Sequence, residues 1–322
     1  MMQAEDPAAP MGPEQRGPDL RGTPSPEKKE QDKEQDVDKT KEAFSTLGGE
    51  TGRGSATWNE VAPAPRPRKS PVQVVMGLLR ILGFVLVTLI LLPFFFLARA
   101  SGRGRDRRVA ALWCGAGMWL SGLSVRAEGE RLRHGGMLLC NHASWLDILV
   151  LGWLVPVHFV AKAEVASWPF FGWIGRISNT VFIERRRAKA REQQRVLAER
   201  VEQGQLLCLF PEGTSSDGQR VLPFKTTLFA LFYPENGPAA DIPAQPASIH
   251  YRPRNGLPKS FYGWWGSMSL FDHIWDVVCL STRGEVVVRF HPPVAPNGLA
   301  DRKALAGAVE VAVAEGRRAS DR

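Results

Sequence analysis

Cysteine is scarce in this chain of 322 residues: Cys114, Cys140, Cys208 and Cys279 form no CxxC pair and no Cys/His cluster at zinc-binding spacing. No disulfide framework and no metal site are therefore expected, and a reducing compartment is the natural setting. Three of the four lie inside apolar runs, where a thiol acts as a small core side chain. The N-terminus lacks the ordered basic, apolar and small-residue regions of a secretory signal. No internal repeat is visible, and no Gly-x-Ser-x-Gly elbow marks an acyl-enzyme hydrolase. A sequence pI of 9.6 comes without any nucleic-acid reader motif, so nucleic acid is not an expected partner.

The positive charge is unevenly placed. Residues 1–70 carry 11 basic and 13 acidic side chains, leaving 30 basic against 20 acidic in the other 252. A surplus of that kind suits a lipid surface or a phosphorylated substrate. Residues 1–70 are also rich in Pro, Gly, Glu, Lys, Asp and Gln and poor in large apolar side chains. Such a segment buries too little surface to offset its chain entropy, and the expectation is a disordered tail.

The character changes at Val74. Val74–Ala98 is apolar except for Arg80 and Thr88, and Ile81–Ala98 alone reaches the lower length of a membrane-spanning helix. Arg80 is expected to snorkel to the interface, and Pro93 to kink the helix. A second, glycine-rich apolar stretch, Val109–Val125, is short enough to lie in the membrane surface. Basic residues flank the first run on both sides, with the heavier cluster after it (Arg99, Arg103, Arg105, Arg107, Arg108). The positive-inside rule then puts the rest of the chain on the cytoplasmic side of the cell inner membrane. The competing reading is a long buried core helix.

The remainder reads as α/β. Short apolar runs at Met137–Cys140, Val157–Ala161, Thr180–Ile183, Leu206–Phe210, Ala247–Tyr251 and Val286–Phe290 look like buried strands. Helical patterns lie between and after them, best at Ala188–Val201 and Ala300–Glu315. The expected fold is a twisted, largely parallel sheet covered by helices, preceded by an N-terminal hydrophobic helix or helix pair. The expected organisation is a tail at 1–70, membrane-anchoring helices at 71–125 and an α/β domain at 126–322. The aromatic stretch Phe261–Leu280 suits either a lipid-facing surface or a core helix and its lead-in.

Three motifs carry chemistry. Asn141-His142-Ala143-Ser144-Trp145-Leu146-Asp147 follows a buried strand and opens a helix. On a straight helix His142 and Asp147 would point roughly 140° apart at about 100° per residue, so His142 belongs in the loop with Asp147 reaching back from the first turn. A carboxylate there fixes the imidazole tautomer, as the acid of a catalytic triad does. Alternatively, Ser144-x-x-Asp147 is a capping box that ties down a helix start. The second motif, Phe210-Pro211-Glu212-Gly213-Thr214-Ser215-Ser216-Asp217-Gly218, offers hydroxyls and amides to an anionic group, or is a solvated turn. The third, Phe182-Ile183-Glu184-Arg185-Arg186-Arg187, holds an arginine able to clamp a phosphate, or a solvated helix start.

Taken in chain order, with Asn141–Asp147 first, Phe182–Arg185 second, Phe210–Thr214 third and Gln245-Pro246-Ala247-Ser248-Ile249 as a fourth block, these motifs resemble the glycerolipid acyltransferase family, over roughly residues 75–295. Its best-known members are the lysophosphatidic acid acyltransferases. The resemblance implies direct acyl transfer without a cofactor or an acyl-enzyme. His142, held by Asp147, is the base that takes the hydroxyl proton of a lysolipid as it attacks a thioester of acyl carrier protein or acyl-CoA. Backbone amides near Gly213 stabilise the oxyanion, and Arg185, Glu212, Gly213, Thr214 and Lys225 hold the acceptor. The family usually continues Glu-Gly-Thr with Arg-Ser, whereas Ser215-Ser216-Asp217-Gly218 stands here. That run, through Lys225, looks more like the lyso-ornithine lipid acyltransferase branch. Lysophosphatidate, 1-acylglycerol-3-phosphate, is nevertheless the acceptor expected, with lyso-ornithine lipid as the alternative. The contrasting class is a non-catalytic lipid-binding protein of the membrane surface.

Overall fold

A computed structural model describes residues 67–102, 104–168, 171–184, 189–234 and 240–320. The expected tail, 1–70, lies almost wholly outside them, and so does Arg185.

The chain opens with helix α1 (Pro71–Ala100), started by a capping box between Ser70 and Gln73 and by Pro71 at the first helical position. It continues through Pro93 and leaves Leu82, Leu86, Leu89, Ile90 and Leu97 exposed. It is long and apolar enough to cross a membrane. Helix α2 (Asp106–Leu120) packs against it: the Trp113 ring meets Phe84 at 5.0 Å, tilted by 41°, and donates its indole N–H to Thr88. The glycines of this second stretch serve close packing, since a Cβ at Gly117 would meet Phe84 and Leu149, and one at Gly115 would meet Trp153.

Seven strands form one sheet in the order β1-β7-β6-β2-β5-β3-β4. They are β1 (Leu123–Glu128), β2 (Gly136–Cys140), β3 (Val157–Lys162), β4 (Val181–Ile183), β5 (Leu206–Leu209), β6 (Ala244–Arg252) and β7 (Gly284–Phe290). Every pair is parallel except β6–β7. β2 and β5 are buried along their whole length because helices cover both faces, which is why they appear as unbroken apolar runs. Successive side chains of β2 alternate between two cores. Leu138 and Cys140 join the core under α3 (Leu146–Leu154). Met137 and Leu139 join the one packed by α5 (Ala190–Glu202) and α7 (Arg302–Ala319). Helices α4 (Phe171–Ile177) and α6 (Leu270–Leu280) complete the covering. All four cysteines are buried and unpaired.

Two expectations give way. β1 begins at Leu123, inside the stretch assigned to the anchor, and pairs along β7. Arg80 does not snorkel: it donates to the carbonyls of Val278 (2.9 Å) and Ser281 (2.7 Å), where α6 ends and leaves backbone acceptors open. Those acceptors give the half-buried guanidinium partners within the protein. The aromatic stretch at 261–280 is mostly core, with Tyr262 and Trp265 buried and Phe271 exposed.

Candidate active site

β2 ends at Cys140 and α3 starts with Trp145 at its N-cap, so Asn141–Ser144 form the loop between them. Asn141 fastens that loop to the neighbouring strand: its amide donates to the Ile249 carbonyl (3.0 Å) and accepts from the Ile249 N–H (2.8 Å).

Asp147 sits in the first turn of α3, fully buried. Its Oδ2 lies 2.8 Å from His142 Nδ1 and accepts the backbone N–H groups of Ala143 (2.8 Å) and Ser144 (3.0 Å). Its Oδ1 accepts the hydroxyl of Tyr251 at 2.7 Å. The two sequence readings of Asp147 therefore coexist. It ties down the helix start, and it holds the imidazole. The reciprocal half of a capping box is absent, because Ser144 Oγ has no partner among the described residues.

With a carboxylate at Nδ1, that nitrogen carries the proton and Nε2 keeps its lone pair. Among the described residues Nε2 has no hydrogen-bond partner, and the side chain is 20% exposed. Phe210 stacks on the imidazole, centroids 4.1 Å apart at 17°, and Phe159 stacks on Phe210 at 6.3 Å.

The backbone of His142 is gripped on both sides. Its N–H donates to Glu212 Oε1 (2.8 Å), and its carbonyl accepts from Ser216 N–H (2.8 Å). Glu212, expected to hold the acceptor, is instead buried at 2% exposure, with its other oxygen accepting Leu222 N–H (3.1 Å). It braces two loops and has no surface left for a ligand. Burial pushes its carboxyl well above the usual carboxylate range, against the pull of those backbone N–H donors.

Gly213 takes φ +69°, a left-handed turn that brings Thr214 to the surface beside this arrangement. Lys225 is exposed at the far end of the same loop, its N–H bonded to Pro211. The loop is backed by α7, where Glu310 accepts Phe224 N–H and the buried Arg317 donates to the Gly218 carbonyl. Cys140, next in sequence to the motif, is no nucleophile: burial raises its thiol well above the usual range and seals it from solvent.

Tyr251, Phe210, Ser216 and Trp264, whose N–H donates to Ala143 O, are site residues that the sequence reading did not single out for these roles. Tyr251 lies two residues beyond Ile249 and so faces the same way along β6. The pairing of β2 with β6 that brings it to Asp147 is a long-range register with no local signal.

An apolar cavity of about 220 Å³ opens beside the stack. Val157, Phe159 and Ala161 line it from alternate positions of β3, with Trp113, Ile148 and Ile174 from the surrounding helices. Phe159 thus belongs to both the cavity wall and the ring stack that ends on His142.

The Acyltransferase family profile matches residues 124–250. The chain is 43% identical to the lyso-ornithine lipid O-acyltransferase of Rhodobacter capsulatus over 61% of its own length and 70% of the relative's. It is 36% identical to the enzyme of that name from Brucella abortus, covering 71% and 88% of the two chains. The crystal structure of the 1-acyl-sn-glycerophosphate acyltransferase of Thermotoga maritima superposes with a TM-score of 0.53 and 25% identity, over 77% of this chain and 98% of that one. The protein is an acyltransferase, a member of the family that includes the lyso-ornithine lipid and 1-acylglycerol-3-phosphate acyltransferases.

Proposed function

We propose that the protein is a lyso-ornithine lipid O-acyltransferase, with His142 as general base and Asp147 as its orienting acid. The observation that carries the chemistry is the imidazole itself. Nδ1 is held by a buried carboxylate, and among the described residues Nε2 has no hydrogen-bond partner. An alcohol is a poor nucleophile at neutral pH and needs such a base. Nε2 takes the hydroxyl proton as the oxygen bonds to the thioester carbonyl carbon. The tetrahedral intermediate then collapses, the carbon–sulfur bond breaks, and the imidazolium returns the proton to the departing thiolate. Asp147 stabilises the imidazolium between the two steps. The donor is an acyl thioester of acyl carrier protein or coenzyme A, its chain in the cavity behind Phe159. Thr214 and Lys225 approach the acceptor head group, while Glu212 sets the loop from behind.

Two findings move the acceptor from lysophosphatidate to lyso-ornithine lipid. Relatives of the second name align over most of the chain at 36–43% identity. Ser215-Ser216-Asp217 also stands where a phosphate-binding member would be expected to carry arginine. The test is to supply purified protein with one labelled acyl donor and each acceptor separately. Faster labelling of lyso-ornithine lipid supports the reading, and labelling of lysophosphatidate alone contradicts it.

The protein is a membrane-associated lipid enzyme, and we propose that α1 and α2 are its anchor. α1 is about 45 Å long at 1.5 Å per residue. One end is tied to the α/β body by Lys69–Asp276 (2.5 Å), the other by Arg99 to Ile177 O and Asn179. A helix fastened at both ends to one domain lies along that domain. We therefore place it in the plane of the inner membrane, on the cytoplasmic face, with basic residues toward anionic lipid.

A further inference from the structure

Helix α6 meets the histidine motif through a pair of side chains that the chemistry of His142 and Asp147 does not use. The indole N–H of Trp145 donates to Nδ1 of His273 at 2.9 Å, and the two rings meet edge to face at 85°. Nε2 of His273 lies 3.1 Å from the Phe261 carbonyl, which can only accept. His273 is therefore a neutral imidazole in a single tautomer, proton on Nε2 and lone pair on Nδ1. It is 3% exposed.

Any buried histidine needs partners, so satisfaction alone says little. What matters is which partner it has chosen. Trp145 lies between His142 and Asp147 and is the N-cap of α3, where the loop carrying His142 joins the helix. The segment leading into α6 touches the same loop again, through Trp264 N–H to Ala143 O at 2.8 Å. It also packs closely against the neighbouring loop, since a Cβ at Gly263 would stand 2.8 Å from the Asp217 carbonyl oxygen. At its other end α6 is fixed to the apolar helix α1 by Arg80 and by Lys69–Asp276.

We propose that His273 is a positioning residue for acyl transfer: acting through Trp145, it sets where Nε2 of His142 stands relative to the acceptor hydroxyl. This rests on the reading of His142 as the base. Misplacing a catalytic group by about 1 Å costs on the order of a hundredfold in rate, so a short indole–imidazole bond is enough to matter.

The two nitrogens of His273 can be tested separately. Asparagine places an amide oxygen near the position of Nδ1 and can still accept from Trp145. Glutamine places its amide nitrogen near Nε2 and keeps only the Phe261 contact. Purified full-length wild type, W145F, H273N, H273Q, the double variant W145F/H273Q, and H142A are compared in mixed micelles for kcat, both KM values and melting midpoint. W145F and H273Q should each lose about ten- to a hundredfold in kcat with KM for donor and acceptor near wild type. H273N should recover most of that loss, and the double variant should be no slower than its slower parent, since both changes cut one link.

Equal impairment of H273N and H273Q overturns the proposal, as does multiplicative loss in the double variant or a loss that simply follows the melting midpoint. Normal turnover by H142A removes the underlying base assignment. An inactive H142A beside unimpaired W145F and H273Q removes this proposal alone.

Discussion

The hydroxyl of Tyr251 donates to Asp147 Oδ1 at 2.7 Å, with both side chains sealed from solvent. The strand that carries Tyr251 pairs with the strand that launches His142, so the sheet itself positions the carboxylate that holds the imidazole. Burial, and after it the Asp147 charge, raise the tyrosine well above its usual range, so it stays a donor. Tyr251→Phe should lower kcat without moving KM and cost about 1–3 kcal/mol of stability, by leaving a buried carboxylate oxygen short of a partner. Steady-state kinetics and chemical denaturation check both parts.

Asp147→Asn separates orientation from capping. An amide at this position favours the wrong imidazole tautomer, and kcat should fall by about 10⁴, as in a triad that has lost its acid. Loss of melting temperature with kcat preserved would leave Asp147 as a helix cap and nothing more.

How much of this was legible beforehand depends on burial. β2 and β5 lie at the centre of the sheet, so Met137–Cys140 and Leu206–Phe210 announce themselves as continuous apolar runs. β1 does not, because an edge strand with Ser124 and Arg126 exposed lacks that signal and merges in sequence with the apolar stretch before it. His142 and Asp147 could be paired from the sequence because their contact is local, five residues apart. The packing of Arg80 and Glu212 is not legible locally because their partners lie far along the chain: Val278 and Ser281 for one, His142 and Leu222 for the other. A charged residue in a motif looks like a ligand contact until long-range packing shows it buried.

His158 supplies a pH test. Burial, assisted by the charge of Arg107, lowers its pKa from 6.5 to about 4, and its Nε2 has no partner among the described residues. Between those values the unfolded chain binds more protons than the folded one, so stability falls as pH is lowered from 6.5 toward 4, and the penalty from this one group reaches its full value below that. His158→Asn should flatten this slope by up to about one proton. Denaturation midpoints measured across that range decide it, and an unchanged slope would mean that His158 titrates normally.

The cavity makes a prediction about the acyl chain. Ala161 shares a face of β3 with Phe159 and lines the cavity, so Ala161→Phe should fill part of it. Long-chain donors should lose on the order of tenfold in kcat/KM per methylene that no longer fits, while short-chain donors are spared. Equal loss for all chain lengths would place the acyl chain elsewhere.

The proposed function gives the proton transfer to one imidazole and the membrane anchor to a separate segment. Wild type and His142→Ala, reconstituted in the same anionic liposomes, are given labelled acyl thioester and lyso-ornithine lipid. Ester formation and co-sedimentation with the vesicles are read together. His142→Ala should sediment as wild type does and lose on the order of 10²–10⁴-fold or more in ester formation. Near-normal ester formation by that variant would contradict it.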